Sequence, residues 1–265
     1  MLLTKAQASS GFVALALLIA SQATPAANYD AGGFESPRFT LGTLEGQDAP
    51  LGPWLRAGGS AGTAAVQTSV VHSGTQALRV DRAGQDVFWA VDDPTPSVAG
   101  QVIIAWDMYV PPAIHLGSFG PLMGIQAYDA LGSSPLLIGA AGIDAKTGEF
   151  LYQAAGTGFL VAGPVLPFNT WHRFGMVLDY ATDRYSVFVN DTLLVNAEGF
   201  VDDSPTSEIN DFTDASIIAL AAGGDPGSIA ATGTAYFDNY VVVPEPAAAA
   251  ILLTLLSATA ARRRR

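Results

Sequence analysis

The sequence predicts an all-β protein, a jelly-roll β-sandwich of two antiparallel sheets. Three observations predict it. Apolar side chains alternate with period two through the middle of the chain, as in strands that bury one face. Such segments recur at spacings near ten residues, punctuated by Gly, Pro and Asp, which is the rhythm of sandwiches and jelly rolls. With 28 Gly, 16 Pro and only 14% charged residues, the composition suits short strands and tight turns better than long surface helices. No stretch between residues 28 and 243 sustains helical periodicity.

In chain order, residues 1–23 read as a signal peptide. Lys5 supplies a positive start, Gly11 to Ala20 an apolar run, and Ser21-Gln22-Ala23 small residues for cleavage. A helix is expected there, removed on export. Residues 28–243 form the sandwich domain. Val87, Trp89 and Val91 alternate on one face. Val102, Ile104, Trp106, Met108 and Val110 share another, opposite Ile103, Ala105, Asp107 and Tyr109. Phe174, Met176, Leu178 and Tyr180 lie opposite Arg173 and Asp179. Tyr185 to Val189, Asn190-Asp191 and Thr192 to Val195 read as a hairpin, because Asn and Asp tolerate the left-handed backbone of a two-residue turn. Later strands are expected at Ser216 to Ala221 and Thr234 to Val243.

The tail, residues 244–265, begins with Pro244-Glu245-Pro246. An uncharged run over 247–261 follows, then Arg262, Arg263, Arg264 and Arg265. Fifteen helical residues span ~22 Å against a hydrocarbon core of ~30 Å, so this is a short transmembrane helix and a marginal anchor. The arginines are expected to stay cytoplasmic, with the sandwich outside. These three parts together resemble the PEP-CTERM sorting signal, also labelled the C-terminal domain of ice-binding proteins. The resemblance implies recognition and cleavage near Pro-Glu-Pro by a membrane enzyme, an exosortase, as partner. The membrane is then a partner through the helix before processing. An ordinary C-terminal anchor predicts the same orientation without cleavage.

Within the domain, WHRFGMVLDYATDRYSVFVNDTLL resembles the Trp-His, strand, turn, strand pattern of concanavalin A-like (laminin G-like) jelly rolls. GGFES at 32–36, SGTQALRV at 73–80 and AYFDNYVVV at 235–243 resemble strands of carbohydrate-binding-module jelly rolls. The second resemblance implies a structural calcium ion held by an acid near the first strand and an Asp on the last, here Glu35 and Asp238. Calcium takes several oxygen ligands at ~2.3–2.6 Å. The alternative is an N-terminal acid and an Asp by an edge, with no ion.

Residues 24–243 carry 23 acidic against 7 basic residues, a formal charge of −16, which disfavours nucleic acid and anionic lipid as partners. The absence of cysteine excludes disulfides, thiolate metal sites and a Cys nucleophile. Gly58-Gly59-Ser60-Ala61-Gly62 fits G-x-S-x-G, but a nucleophile elbow needs a strand before it and a helix after it. Here LRA precedes and the apparent strand AAVQTSVV follows. His72, His115 and His172 show no metal-ligand spacing. Glycoside hydrolysis needs two carboxylates facing each other across the scissile bond, and no E-x-D-x-E strand is present. The acids Asp92-Asp93, Asp202-Asp203, Asp211 and Asp214 fall in turn-like segments.

Sugar binding requires exposed aromatic rings for pyranose faces. Trp54, Trp89 and Tyr128, near Gly/Pro/Asp-rich turns, are the candidate glycan-binding residues, whereas Trp106 and Trp171, in stronger strand patterns, are expected in the core. The sequence thus leads to an exported cell-surface or matrix protein, not an enzyme, that binds glycan such as exopolysaccharide. The alternatives are a secreted glycan-cleaving hydrolase of the concanavalin A-like class and a purely structural matrix protein.

Overall fold

The computed structural model describes residues 29–47, 53–57, 62–91, 100–132 and 134–244. The expected flanking helices over 1–23 and 247–261, the sorting residues Glu245, Pro246 and Arg262 to Arg265, the pair Asp92-Asp93, and Ser60 all lie outside these residues. Among the described residues, no helix is long and apolar enough to cross a membrane.

The first third contributes β1 (Tyr29–Asp30), β2 (Gly42–Thr43), β3 (Leu55–Ala57), β4 (Thr63–Gln67), β5 (Ala77–Ala83) and β6 (Val87–Ala90). The centre contributes β7 (Gln101–Tyr109), β8 (Leu122–Asp129), β9 (Leu136–Asp144), β10 (Phe150–Ala154) and β11 (Gly158–Val161). The remainder holds β12 (Trp171–Asp179), β13 (Arg184–Val189), β14 (Thr192–Gly199), β15 (Asp214–Leu220), one short helix α1 (Pro226–Ala230) and β16 (Thr232–Pro244).

These strands form two antiparallel sheets. One runs β14-β13-β12-β7-β16-β5-β4-β2, with β1 added against β16. The other runs β11-β10-β9-β8-β15-β6-β3. The all-β sandwich expected from sequence is the fold observed.

Alternation decides which side chains meet between the sheets. On β7, Val102, Ile104, Trp106 and Met108 are buried, and on β12 so are Phe174, Met176 and Leu178. Ile125, Ile138, Ile143 and Ile217 face them from the other sheet's strands. Trp106 lies flat on Phe174, with centroids 5.1 Å apart and planes at 5°. Each such side chain withdrawn from water contributes ~1.5–3 kcal/mol. The β13–β14 hairpin turns on Asn190 (φ 49°) and Asp191 (φ 64°), both left-handed as a type I′ turn demands. The glycine-rich segment before Gly62 joins β3 to β4, strand to strand, which does not meet the strand-to-helix context of a nucleophile elbow.

Candidate active site

The same alternation sends the opposite set of side chains to the outer face of the nine-stranded sheet. On β12, Trp171 and Arg173 share a parity opposite to Phe174. On β7, Asp107 and Tyr109 lie opposite to Trp106 and Met108. Register then aligns them: Trp171 pairs with Tyr109, Tyr109 with Tyr236 on β16, and Tyr236 with Arg79 on β5. The result is a surface row Trp171-Tyr109-Tyr236-Arg79. Its rings touch, with Tyr109–Trp171 centroids 5.6 Å apart and Tyr109–Tyr236 centroids 5.8 Å apart.

One step along the strands, Arg173 pairs with Asp107, and Asp107 with Asp238. Beyond Asp238 the register of β16 slips. Asn239 takes a left-handed φ of 49°, the kind of bulge that re-aims a side chain. Asn239 Nδ2 consequently donates to Asp107 Oδ2 at 2.7 Å, while its Oδ1 accepts from Ser73 Oγ at 3.0 Å.

Ser73 belongs to the β4–β5 loop, which folds back over this face. Its neighbour His72 places Nδ1 3.0 Å from Asp107 Oδ2, with the imidazole 41% exposed, and packs on Trp171 with centroids 5.2 Å apart. A carboxylate 3.0 Å from Nδ1, closer than the Asn239 Nδ2 at 3.4 Å, favours the tautomer with the proton on Nδ1 and the lone pair on Nε2. That arrangement is a general base oriented by an acid, set among aromatic platforms. Arg173, paired in register with Asp107, is exposed; among the described residues its guanidinium forms no ion pair.

Glu35 and Asp238 are both brought to this loop, but as hydrogen-bond anchors. Glu35 accepts from Thr75 N, Thr75 Oγ1 and Gln76 N. Asp238 accepts from His72 N, Ser73 N and Asn239 N. Burial works against ionising Glu35, yet its bonds from Thr75 and Gln76 outweigh it and hold the carboxyl below the ordinary value. Asp238 goes the other way: burial, helped by the neighbouring Asp107, lifts it above the ordinary aspartate value despite three N–H donors. All four carboxylate oxygens face N–H or O–H donors, and among the described residues no group of three or more His, Cys, Asp or Glu could hold a metal. A calcium ion held by Glu35 and Asp238 stays an expectation of the resemblance, since calcium also takes backbone carbonyl and water oxygens.

The expected glycan platforms require correction. Trp54 is 0% exposed; its Nε1 donates to Tyr29 Oη at 2.7 Å and its ring packs edge-on against Tyr29 and Tyr240. Trp89, at 2% exposed, shares the inward face with Val87. Neither can stack on a sugar. Tyr128 is half-buried on the other sheet, where its hydroxyl donates to Gln126 Oε1 at 2.7 Å, so it does not join the cluster. Trp171, expected in the core, is instead half-buried on the outer face. His72, Asp107 and Asn239 were missed. The parity of β7 and β12 already put Asp107 and Tyr109 on the outer face, but nothing local foretells the fold-back of the loop.

A larger groove of about 560 Å³ lies on the seven-stranded sheet, lined mainly by apolar side chains such as Leu122, Leu151, Phe159 and Val161. Its one deep acid, Asp144, is consumed by the N–H groups of Gly120, Lys146 and Thr147. It also holds the half-buried Glu149, whose Oε2 accepts from Thr147 Oγ1 at 3.0 Å.

No family model matches the chain, and no curated protein matches it. Solved structures do. A cellulose-induced protein, Cip1, is 18% identical with a TM-score of 0.50, covering 72% of this chain and 90% of its own. An endo-β-1,4-glucuronan lyase from the fungus Trichoderma reesei is 13% identical with a TM-score of 0.51, covering 78% and 95%. The alginate lyase Aly36B, a mutant in complex with alginate tetrasaccharide, is 12% identical with a TM-score of 0.51, covering 78% and 93%. At these identities the likeness establishes the fold. The expectation of a non-catalytic glycan binder is corrected on this finding: two of these three structures are named as lyases, one of glucuronan and one of alginate.

Proposed function

We propose that the protein cleaves an acidic polysaccharide by β-elimination, with His72 as the base. The carrying observation is the His72–Asp107 pair, 3.0 Å apart, beside the half-buried outer-face row Trp171-Tyr109-Tyr236. Hydrolysis would call for two opposed carboxylates, whereas Asp107 is committed to His72 and Asn239, and Asp238 to the loop N–H groups. Elimination needs one base, a cation and a proton donor. In this reading Arg173 neutralises the uronate carboxylate by charge-assisted hydrogen bonds, which acidifies the adjacent C5–H. His72 Nε2 takes that proton, the electron pair forms the C4=C5 double bond, and the C4–O bond breaks. The leaving oxygen takes a proton from the Tyr109 phenol; water then returns a proton to the phenolate and accepts the one on His72, so that both groups are restored.

Three of the seven basic residues between 24 and 243, Arg79, Arg173 and Arg184, stand on this face of an otherwise acidic chain. That placement supports an anionic substrate. Export through the leader and sorting through Pro244-Glu245-Pro246 by an exosortase-like enzyme complete the proposal, since a polysaccharide substrate lies outside the cell. Replacing those three residues with alanine tests the sorting: unchanged processing and surface release overturn it.

The activity is tested by incubating the full chain with alginate, glucuronan and a neutral β-glucan. Chain shortening is followed by viscosity, and unsaturated ends by ultraviolet absorbance. Cleavage of a polyuronate with unsaturated ends, lost in His72→Ala, is expected. Reducing ends without unsaturation, or no shortening of any polymer, overturns the reading.

A further inference from the structure

The aromatic row does not stop at Tyr236. Its next member, Arg79, opens on a polar recess of about 490 Å³ lined by Arg79, Asp81, Pro111, Ile114, Thr232 and Thr234. The recess is built rather than incidental. Asp81 Oδ1 holds Arg79 Nε at 3.0 Å and Nη2 at 2.9 Å. The same oxygen accepts from Thr234 Oγ1 at 2.6 Å, and Oδ2 from Thr63 Oγ1 at 3.4 Å. A guanidinium has five N–H donors. Asp81 fixes the plane through two of them, and Nη1 has no hydrogen-bond partner among the described residues. The Arg79 side chain is 47% exposed, so the remaining donors are open to a ligand arriving from solvent.

Trp171, Tyr109, Tyr236 and Arg79 sit on four neighbouring strands, β12, β7, β16 and β5. Strands lie ~4.8 Å apart, so Arg79 stands ~14 Å from Trp171. A run of sugar rings laid across the strands passes Trp171, Tyr109 and Tyr236, whose rings meet at 53° and 78°, and carries its far ring into this recess.

We propose that the Arg79 recess is a distal subsite that binds the carboxylate of a uronate several rings away from the scissile bond, and thereby sets the length of the product. The inference rests on cleavage at His72 and adds to it a second point of recognition. A fixed guanidinium fork suits a planar carboxylate better than a mobile ammonium does, so the recess selects an acidic ring over a neutral one.

The test uses the full chain and alginate or glucuronan oligosaccharides of graded length. Arg79→Gln is expected to raise KM roughly tenfold for oligosaccharides long enough to reach the recess, the worth of one charge-assisted contact. It should leave KM unchanged for those too short to reach, and shift the product lengths. Arg79→Lys, which keeps the charge without the fork, should lie between. In the unmutated protein, reducing the distal carboxylate to an alcohol should weaken long oligosaccharides by the same factor. An equal loss on short and long substrates, no change in KM or product length, or indifference of the unmutated protein to the distal carboxylate overturns the subsite. Failure of His72→Ala to stop cleavage would instead overturn the placing of the reaction, and the two failures are read in separate assays.

Discussion

His72 Nδ1 and Asp107 Oδ2 lie 3.0 Å apart, although one belongs to the β4–β5 loop and the other to β7, with β16 running between β5 and β7. The loop bridges that gap because Asp238 accepts from the N–H groups of His72 and Ser73 while Asn239 holds Ser73 and Asp107 together. Orientation of the imidazole is thus assembled from three segments distant in sequence.

Asp107→Asn tests that orientation. The amide retains the shape but presents N–H to Nδ1 in one flip state and loses the charge in either. The wrong tautomer is favoured and a developing imidazolium is no longer stabilised. The turnover number on a polyuronate should fall by ~10²-fold or more, within the range of general acid–base catalysis, while the melting temperature changes little. Steady-state kinetics beside a thermal melt check this.

Two tryptophans should separate binding from stability. Trp54→Ala removes a ring packed against Tyr29, Phe34 and Tyr240 and leaves a cavity, for a cost of ~3–5 kcal/mol in urea unfolding. Trp171→Ala removes a surface platform. It should cost ~1–2 kcal/mol in unfolding, the worth of its ring contacts with His72 and Tyr109, less than Trp54→Ala, and weaken oligosaccharide binding by ~0.5–1.5 kcal/mol or more, the worth of a ring contact. Titration calorimetry beside urea melts checks both.

Much of the fold was legible because the side-chain period of a strand is fixed by its geometry. The buried set Val102, Ile104, Trp106 and Met108, the buried set Phe174, Met176 and Leu178, and the Asn190-Asp191 turn follow from local pattern alone. The platforms were misread by giving loop proximity more weight than parity. Trp54 stands close to turn residues, yet β1 and β16 close over it, bringing Tyr29 and Tyr240 against its ring. Trp171 sits in a strong strand, yet shares the parity of exposed Arg173. The His72 cluster was illegible for another reason: it depends on a loop crossing strands and on a bulge in β16, and both are tertiary events without a local signature.

The hairpin gives a backbone prediction. Asp191 holds a φ of 64°, where a Cβ is strained and glycine is not. Asp191→Gly should be neutral or stabilising by up to ~1 kcal/mol, since Asp191 anchors nothing through its side chain among the described residues. Asn190→Ala should destabilise by ~1–2 kcal/mol, because Asn190 Oδ1 accepts from Arg173 N at 3.0 Å and its amide meets His172 Nδ1 at 3.0 Å. Equal effects of the two substitutions would contradict this division of roles.

The loop that carries His72 should also respond to acid through Glu35. Its folded-state carboxyl lies below the ordinary value, with burial opposing and the Thr75 and Gln76 hydrogen bonds prevailing. A depressed acid stabilises the fold above its unfolded-state pKa, and that contribution is lost as pH falls through the folded-state pKa. Glu35→Gln should therefore melt a few degrees lower than the unmutated protein at neutral pH, and the gap should close once the pH drops below the ordinary glutamate range. Asp238 has the opposite sign. Burial and Asp107 raise it, so its contribution is complete below the ordinary aspartate value and lost as pH rises through its elevated one. The two windows lie on opposite sides of the ordinary carboxylate range, so the difference between Glu35→Gln and unmutated melts isolates the Glu35 contribution. A gap that stays constant from neutral to acidic pH would mean that Glu35 holds the loop by packing and not as an ionised acceptor.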